Sequence, residues 1–126
     1  MAKTYRRILI FIVVLGILMG LVGKKFEGDQ YVNTEPRKNT ECTLTKRVFD
    51  DADVLSDEEE EKLEALIAEK EELIGGDLVL ITTNDASLDT MEKLRDYAQN
   101  YYKENKLGWD QAIGSGAIYV DDWETR

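Results

Sequence analysis

The sequence predicts an α/β fold with parallel strand pairing, carried behind an apolar amino-terminal segment. Three observations lead there. Between Ser56 and Val120 the chain alternates helix, strand, helix, strand, the order that builds a parallel layer. The run Asp77-Leu78-Val79-Leu80-Ile81-Thr82-Thr83 is a continuous stretch of β-formers, as a strand covered on both faces requires. Ile8 to Val22 is an unbroken apolar run of 15 residues that includes Gly16 and Gly20.

Taken in chain order, the apolar run comes first. Its length sits between a signal-peptide core and a full bilayer span. Arg6 and Arg7 precede it, Lys24 and Lys25 follow, and no small-residue cleavage pattern stands out around Leu21 to Lys25. With Lys3 and the Met1 amino group, four positive charges precede the run against two immediately after it, so the amino end is expected to stay cytoplasmic. Residues 1–25 therefore read as one N-terminal transmembrane helix acting as a signal anchor. It enters the membrane through residues 8–22 and leaves the rest of the chain extracytoplasmic, in a single-pass protein of the cell membrane. Residues 26–46 are polar and aperiodic and hold the only proline, Pro36, so they read as a linker.

The folded domain is expected over residues 47–126. Ser56 with Glu59 three residues on fits a capping box, and Asp57 to Glu61 place acids where the helix dipole favours them. Leu63, Leu66, Ile67, Leu73 and Ile74 then recur at helical spacing, and Gly75-Gly76 ends the helix. After the strand, Asp89 with Glu92 suggests a second capping box, and Met91, Leu94, Ala98 and Tyr101 form a core-facing stripe. Trp109 to Gly116 reads as a glycine-rich loop, and Ala117-Ile118-Tyr119-Val120 as a second strand.

Composition excludes several functions. The chain of 126 residues carries 26 acidic against 16 basic side chains, a formal net charge of -10. Beyond residue 23 the balance is 13 basic to 26 acidic, a surface that repels phosphate backbones and argues against nucleic-acid binding. There is no histidine, which removes imidazole acid/base chemistry, Ser-His-Asp and Cys-His schemes and His-ligated zinc. The single Cys42 admits no intrachain disulfide.

What chemistry remains belongs to carboxylates. Asp50, Asp51 and Asp53 stand between apolar side chains directly ahead of the first helix, and Asp121-Asp122 close the second strand. Hard oxygen ligands of this kind suit Ca²⁺ or Mg²⁺. Carboxyl ends of parallel strands are also where α/β ligands bind. Asp50, Asp51, Asp121 and Asp122 are accordingly the candidate cation ligands. The competing reading makes Asp50 a turn cap and leaves Asp51 and Asp53 to solvent. An EF-hand is excluded, because a loop counted from Asp51 puts Ser56 where glycine belongs and Lys62 at its last position. Gly114-Ser115-Gly116 has neither the spacing nor the lysine of a P-loop.

The segment Val48-Phe49-Asp50-Asp51-Ala52-Asp53-Val54-Leu55-Ser56, followed by an amphipathic helix and the Leu78 to Thr83 strand, resembles the start of a TPM domain. Tyr97-Ala98, Leu107-Gly108 and the Gly114 to Val120 stretch extend the likeness from roughly Arg47 to Arg126. The resemblance implies an α/β/α sandwich with a small central sheet. For some members it also implies acid phosphatase activity and divalent-cation binding. The family's aspartate ahead of the first helix falls on Asp50. The acids it carries before the second glycine-serine strand are replaced here by Ala112 and Ile113, with Asp110 the nearest acid, and its arginine after that strand falls on Arg126. The family pattern continues past this position with a further strand and helices. The expected function is a membrane-tethered, extracytoplasmic TPM-like module, non-catalytic, that docks on or assists membrane protein complexes. The alternative is a divalent-cation-dependent, acid phosphatase-like phosphoester hydrolase.

Overall fold

The structure, a computed structural model, describes residues 32–123 together with Phe11, Ile12 and Val14. Most of the predicted anchor over residues 8–22 lies outside the described residues. Among those that are described, no helix is long and apolar enough to cross a membrane.

Among the described residues the elements are three strands and two helices: β1 (Val48–Asp50), α1 (Asp57–Ile74), β2 (Asp77–Thr83), α2 (Met91–Glu104) and β3 (Gly116–Asp122). The sheet runs in the order β1-β2-β3, parallel throughout. All seven residues of β2 are buried, which explains why its sequence is apolar without alternation. Successive residues of β2 serve opposite faces. Leu78 and Leu80 join Val48, Val54, Leu55, Leu63 and Ile67 under α1. Val79 and Ile81 join Leu107 and the rings of Phe49, Tyr97, Tyr101 and Tyr102 under α2. One helix thus covers each face of a small parallel sheet. Phe11 and Val14 rest against the α1-side cluster.

Helix α1 begins as its sequence requires. The Glu59 N–H donates to Ser56 Oγ at 3.2 Å, and the Ser56 N–H donates to Glu59 Oε2 at 2.8 Å, closing the capping box. Gly75, at φ +68°, supplies the left-handed residue that ends it. Helix α2 differs from expectation. Its cap is Thr90, whose side chain accepts from the Lys93 N–H, while the Asp89 carboxylate instead takes Lys93 Nζ at 2.7 Å. Met91 is 71% exposed, so the core-facing stripe is made by tyrosines and not by Met91.

Two further elements go beyond what periodicity indicated. β1 is only three residues long, too short for a pattern to register, and exists because β2 offers it a partner in register at Leu80 to Thr82. Helix α1 fixes its start: the Glu64 carboxylate accepts the N–H groups of Arg47 and Val48 at 2.8 and 2.7 Å. β3 also runs through Asp121 and Asp122, so both carboxylates belong to the strand itself.

Candidate functional site

Register places the acids. Asp50 of β1, Thr82 of β2 and Asp121 of β3 are partners across the sheet at its carboxyl edge. They stand on the face shared with Val48 and Leu80, because strand side chains alternate. Two strand spacings separate the backbones of Asp50 and Asp121 by roughly 10 Å. Asp122, one residue on, pairs with Thr83 and lies on the opposite face. Asp51 has turned out of the strand and is exposed, with its N–H donating to the Thr82 carbonyl at 3.1 Å. The sheet therefore brings Asp50 and Asp121 into one row and sends Asp51 and Asp122 elsewhere. Among the described residues, no three carboxylate or thiol side chains gather around a common point.

Asp50 is fully engaged. Its Oδ1 accepts the Val54 N–H at 3.0 Å and the Thr82 hydroxyl at 2.6 Å, and its Oδ2 accepts the Leu55 N–H at 2.9 Å. This ties the 51–55 turn closed, with Asp53 at φ +52° and its N–H bonded to the Asp50 carbonyl at 3.1 Å. A carboxylate accepting three hydrogen bonds retains few lone pairs for a cation that seeks six to eight oxygens. Asp50 is thus the keystone of the turn that delivers the chain to Ser56.

Asp121 has a different environment. Burial pushes its carboxyl above the ordinary carboxylate range, against the hydrogen bond from Trp123, and the charge of Asp122 adds to the rise. Beside it a groove of about 330 Å³ runs between α2 and β3, lined by Leu94, Arg95, Ala98, Val120, Asp121 and Asp122. Arg95 is the cation in that groove.

At the other end of the sheet lies a charged cluster that the sequence reading passed over. Asp77, fully buried at the start of β2, receives both arms of the Arg37 guanidinium, one at 2.9 Å, and the Gly108 N–H at 2.8 Å. Burial opposes its ionisation, but the Arg37 and Gly108 hydrogen bonds and the charges of Arg37 and Arg47 hold its carboxyl below the ordinary range. Glu71 pairs with Arg47 Nε at 2.9 Å and accepts the Leu78 N–H at 2.8 Å. There burial prevails and its carboxyl is raised. Part of the signal was present: a buried aspartate opening an apolar strand demands a countercharge. Which cations supply it, Arg37 and Arg47, only the fold decides, since both stand far ahead of Asp77 in the chain.

Taken together, a parallel three-stranded α/β layer, an acid-rich turn ahead of its first helix and a carboxylate row at its carboxyl edge define a class of small α/β domain. The family model for the TPM domain matches residues 48–126, and the chain belongs to that family. No curated protein and no solved structure matches the chain.

Proposed function

We propose that the chain is a membrane-tethered, extracytoplasmic TPM module that docks on or helps maintain membrane protein complexes and performs no chemistry at Asp50. The observation that carries this reading is the saturation of Asp50. Both oxygens of the family's aspartate are spent on holding a turn, and the carboxylates nearest to it in sequence diverge. Tethering rests on the 8–22 run and its positive amino flank. On this reading the run exchanges the contact of Phe11 and Val14 with the α1-side cluster for lipid.

A second reading, a cation-dependent phosphoester hydrolase, is supported by Arg95 sharing a groove with Asp121 and Asp122. A Ca²⁺ or Mg²⁺ ion at the carboxyl edge of β3 would draw on Asp121, and Arg95 would face a phosphoryl group. The full chain in detergent distinguishes the two. The module reading expects retention in carbonate-washed membranes and no hydrolysis of an aryl phosphate with or without millimolar Ca²⁺ or Mg²⁺. Metal-dependent turnover that is lost in Asp121→Asn while the fold is kept overturns it in favour of the hydrolase. Release into the medium overturns the tether.

A further inference from the structure

The polar segment ahead of β1 reads as a linker, yet residues 33–41 are bonded to the domain along most of their length. The Asn33 N–H donates to the Leu73 carbonyl at 2.8 Å, and its side-chain amide donates to the Glu72 carbonyl at 3.1 Å. Both observations fix the segment to the carboxyl end of α1. Arg37 forks onto the buried Asp77 at the start of β2.

Next come bonds to the loop between α2 and β3. The N–H groups of Lys38 and Asn39 donate to the Trp109 carbonyl at 3.0 and 3.2 Å. The Asn39 side-chain amide, buried with the residue at 6% exposure, donates to the carbonyls of Lys106 and Gly108 at 2.7 and 2.8 Å. Trp109 Nε1 returns a bond to the Glu35 carbonyl at 3.1 Å, and the Arg37 guanidinium stands 5.8 Å from the Trp109 ring centroid.

We infer that residues 33–41 form a strap that latches the α2–β3 loop onto the amino end of β2, with Asp77 as the pin. Strap and loop meet on one carboxylate: Asp77 Oδ2 accepts both Arg37 Nη2 and the Gly108 N–H. The loop has a single close-packed path to follow. Gly108 stands at φ +145°, and a Cβ there would collide with the Gln111 carbonyl oxygen. The loop's own bonds then follow, Gly114 N–H to the Leu107 carbonyl and Trp109 N–H to the Ser115 carbonyl, and the Asp77 N–H also donates to Ser115. Opening the strap therefore frees the loop that feeds β3, while the Asp50 turn at the opposite end of the sheet stays closed. The strap at residues 33–41 lies ahead of the family match that starts at residue 48.

Amide hydrogen exchange on the full chain tests the latch. Asn39→Ala removes the two side-chain bonds to the loop and leaves the Arg37–Asp77 charge balance in place. It should speed exchange at Gly108, Trp109, Gly114 and Ser115 by about tenfold, with less than about twofold change at Val54 and Leu55. Lys38→Ala, which removes a side chain that pairs with exposed Glu35, should leave both groups unchanged. Unaltered loop exchange in Asn39→Ala overturns the latch. So does equal acceleration at both ends of the sheet, which would make the segment part of one global unit, and so does an equal response to Lys38→Ala.

Discussion

Thr82 donates its hydroxyl hydrogen to Asp50 Oδ1 across 2.6 Å, and this bond joins the turn ahead of α1 to the central strand. The Thr82 oxygen in turn accepts the Ala52 N–H at 3.2 Å, so one side chain braces both the carboxylate and the turn that follows it. The pair shows how Asp50 is accommodated among apolar neighbours: two backbone N–H groups and a hydroxyl take up its charge.

Asp50→Ala should therefore lower stability by about 2–3 kcal/mol, the scale of orphaning several buried donors at once. Thr82→Val should cost about 1 kcal/mol, and the double variant should fall short of the sum by about 1 kcal/mol because the two residues share a bond. Urea midpoints at constant m-value measure all three. Full additivity would show that the bond does not couple them.

Glu64 predicts a second stability effect. Its carboxylate holds the N–H groups of Arg47 and Val48 from the side of α1, which makes it the clamp on a three-residue strand. Glu64→Ala should cost about 1–3 kcal/mol and deprotect β1 amides ahead of β2 amides in hydrogen exchange. Glu64→Gln, which keeps one acceptor oxygen, should recover part of the loss.

Alkaline behaviour should be dominated by Tyr102. Burial, with the charges of Asp77 and Asp110, pushes its phenol up to about 12 from 10.0, while its hydroxyl donates to the Gly114 carbonyl at 2.8 Å. The unfolded chain releases this proton first, so the contribution is intact below pH 10 and is lost as pH rises from there toward about 12. Tyr102→Phe should flatten the fall in urea midpoint across that window.

Acid behaviour should report Asp77. Its folded carboxyl lies below the ordinary value of 3.8, so the unfolded chain takes up the proton first as pH falls. The stabilisation is present above the ordinary value and is lost as pH drops through the folded one. Asp77→Asn should be less stable at neutral pH, because Arg37 loses its ion pair, and should show a shallower acid slope. An unchanged slope would mean that Asp77 does not titrate with unfolding.

Much of the fold was legible because its signals are local. The Ser56–Glu59 box, Gly75 and the apolar run of β2 act through neighbours in sequence, and each appears where the chain alone indicated. Thr90 replaced Asp89 as the cap of α2 because either side chain suits a cap and Lys93 claimed the aspartate. β1 had no readable pattern at three residues and depends on the ladder β2 provides. The sequence marked out the carboxylates and left their relative placement open. Asp50 and Asp121 do share a row, whereas Asp122 was carried to the other face by the strict alternation of a strand that runs through it.

The sequence by itself determined the boundaries of α1, the buried central strand, the absence of imidazole chemistry and the family to which residues 48–126 belong. These follow from residue type and spacing, which need no distant partner. Only the tertiary structure decided what the charged groups do. Asp50 became the fastening of a turn because Thr82, Val54 and Leu55 converge on it, and Arg37 became part of the fold because Asp77 is buried opposite it. A charge has no assigned role until folding sets its burial and its partners, since both the penalty for desolvation and the pairing that offsets it arise from residues far away in the chain.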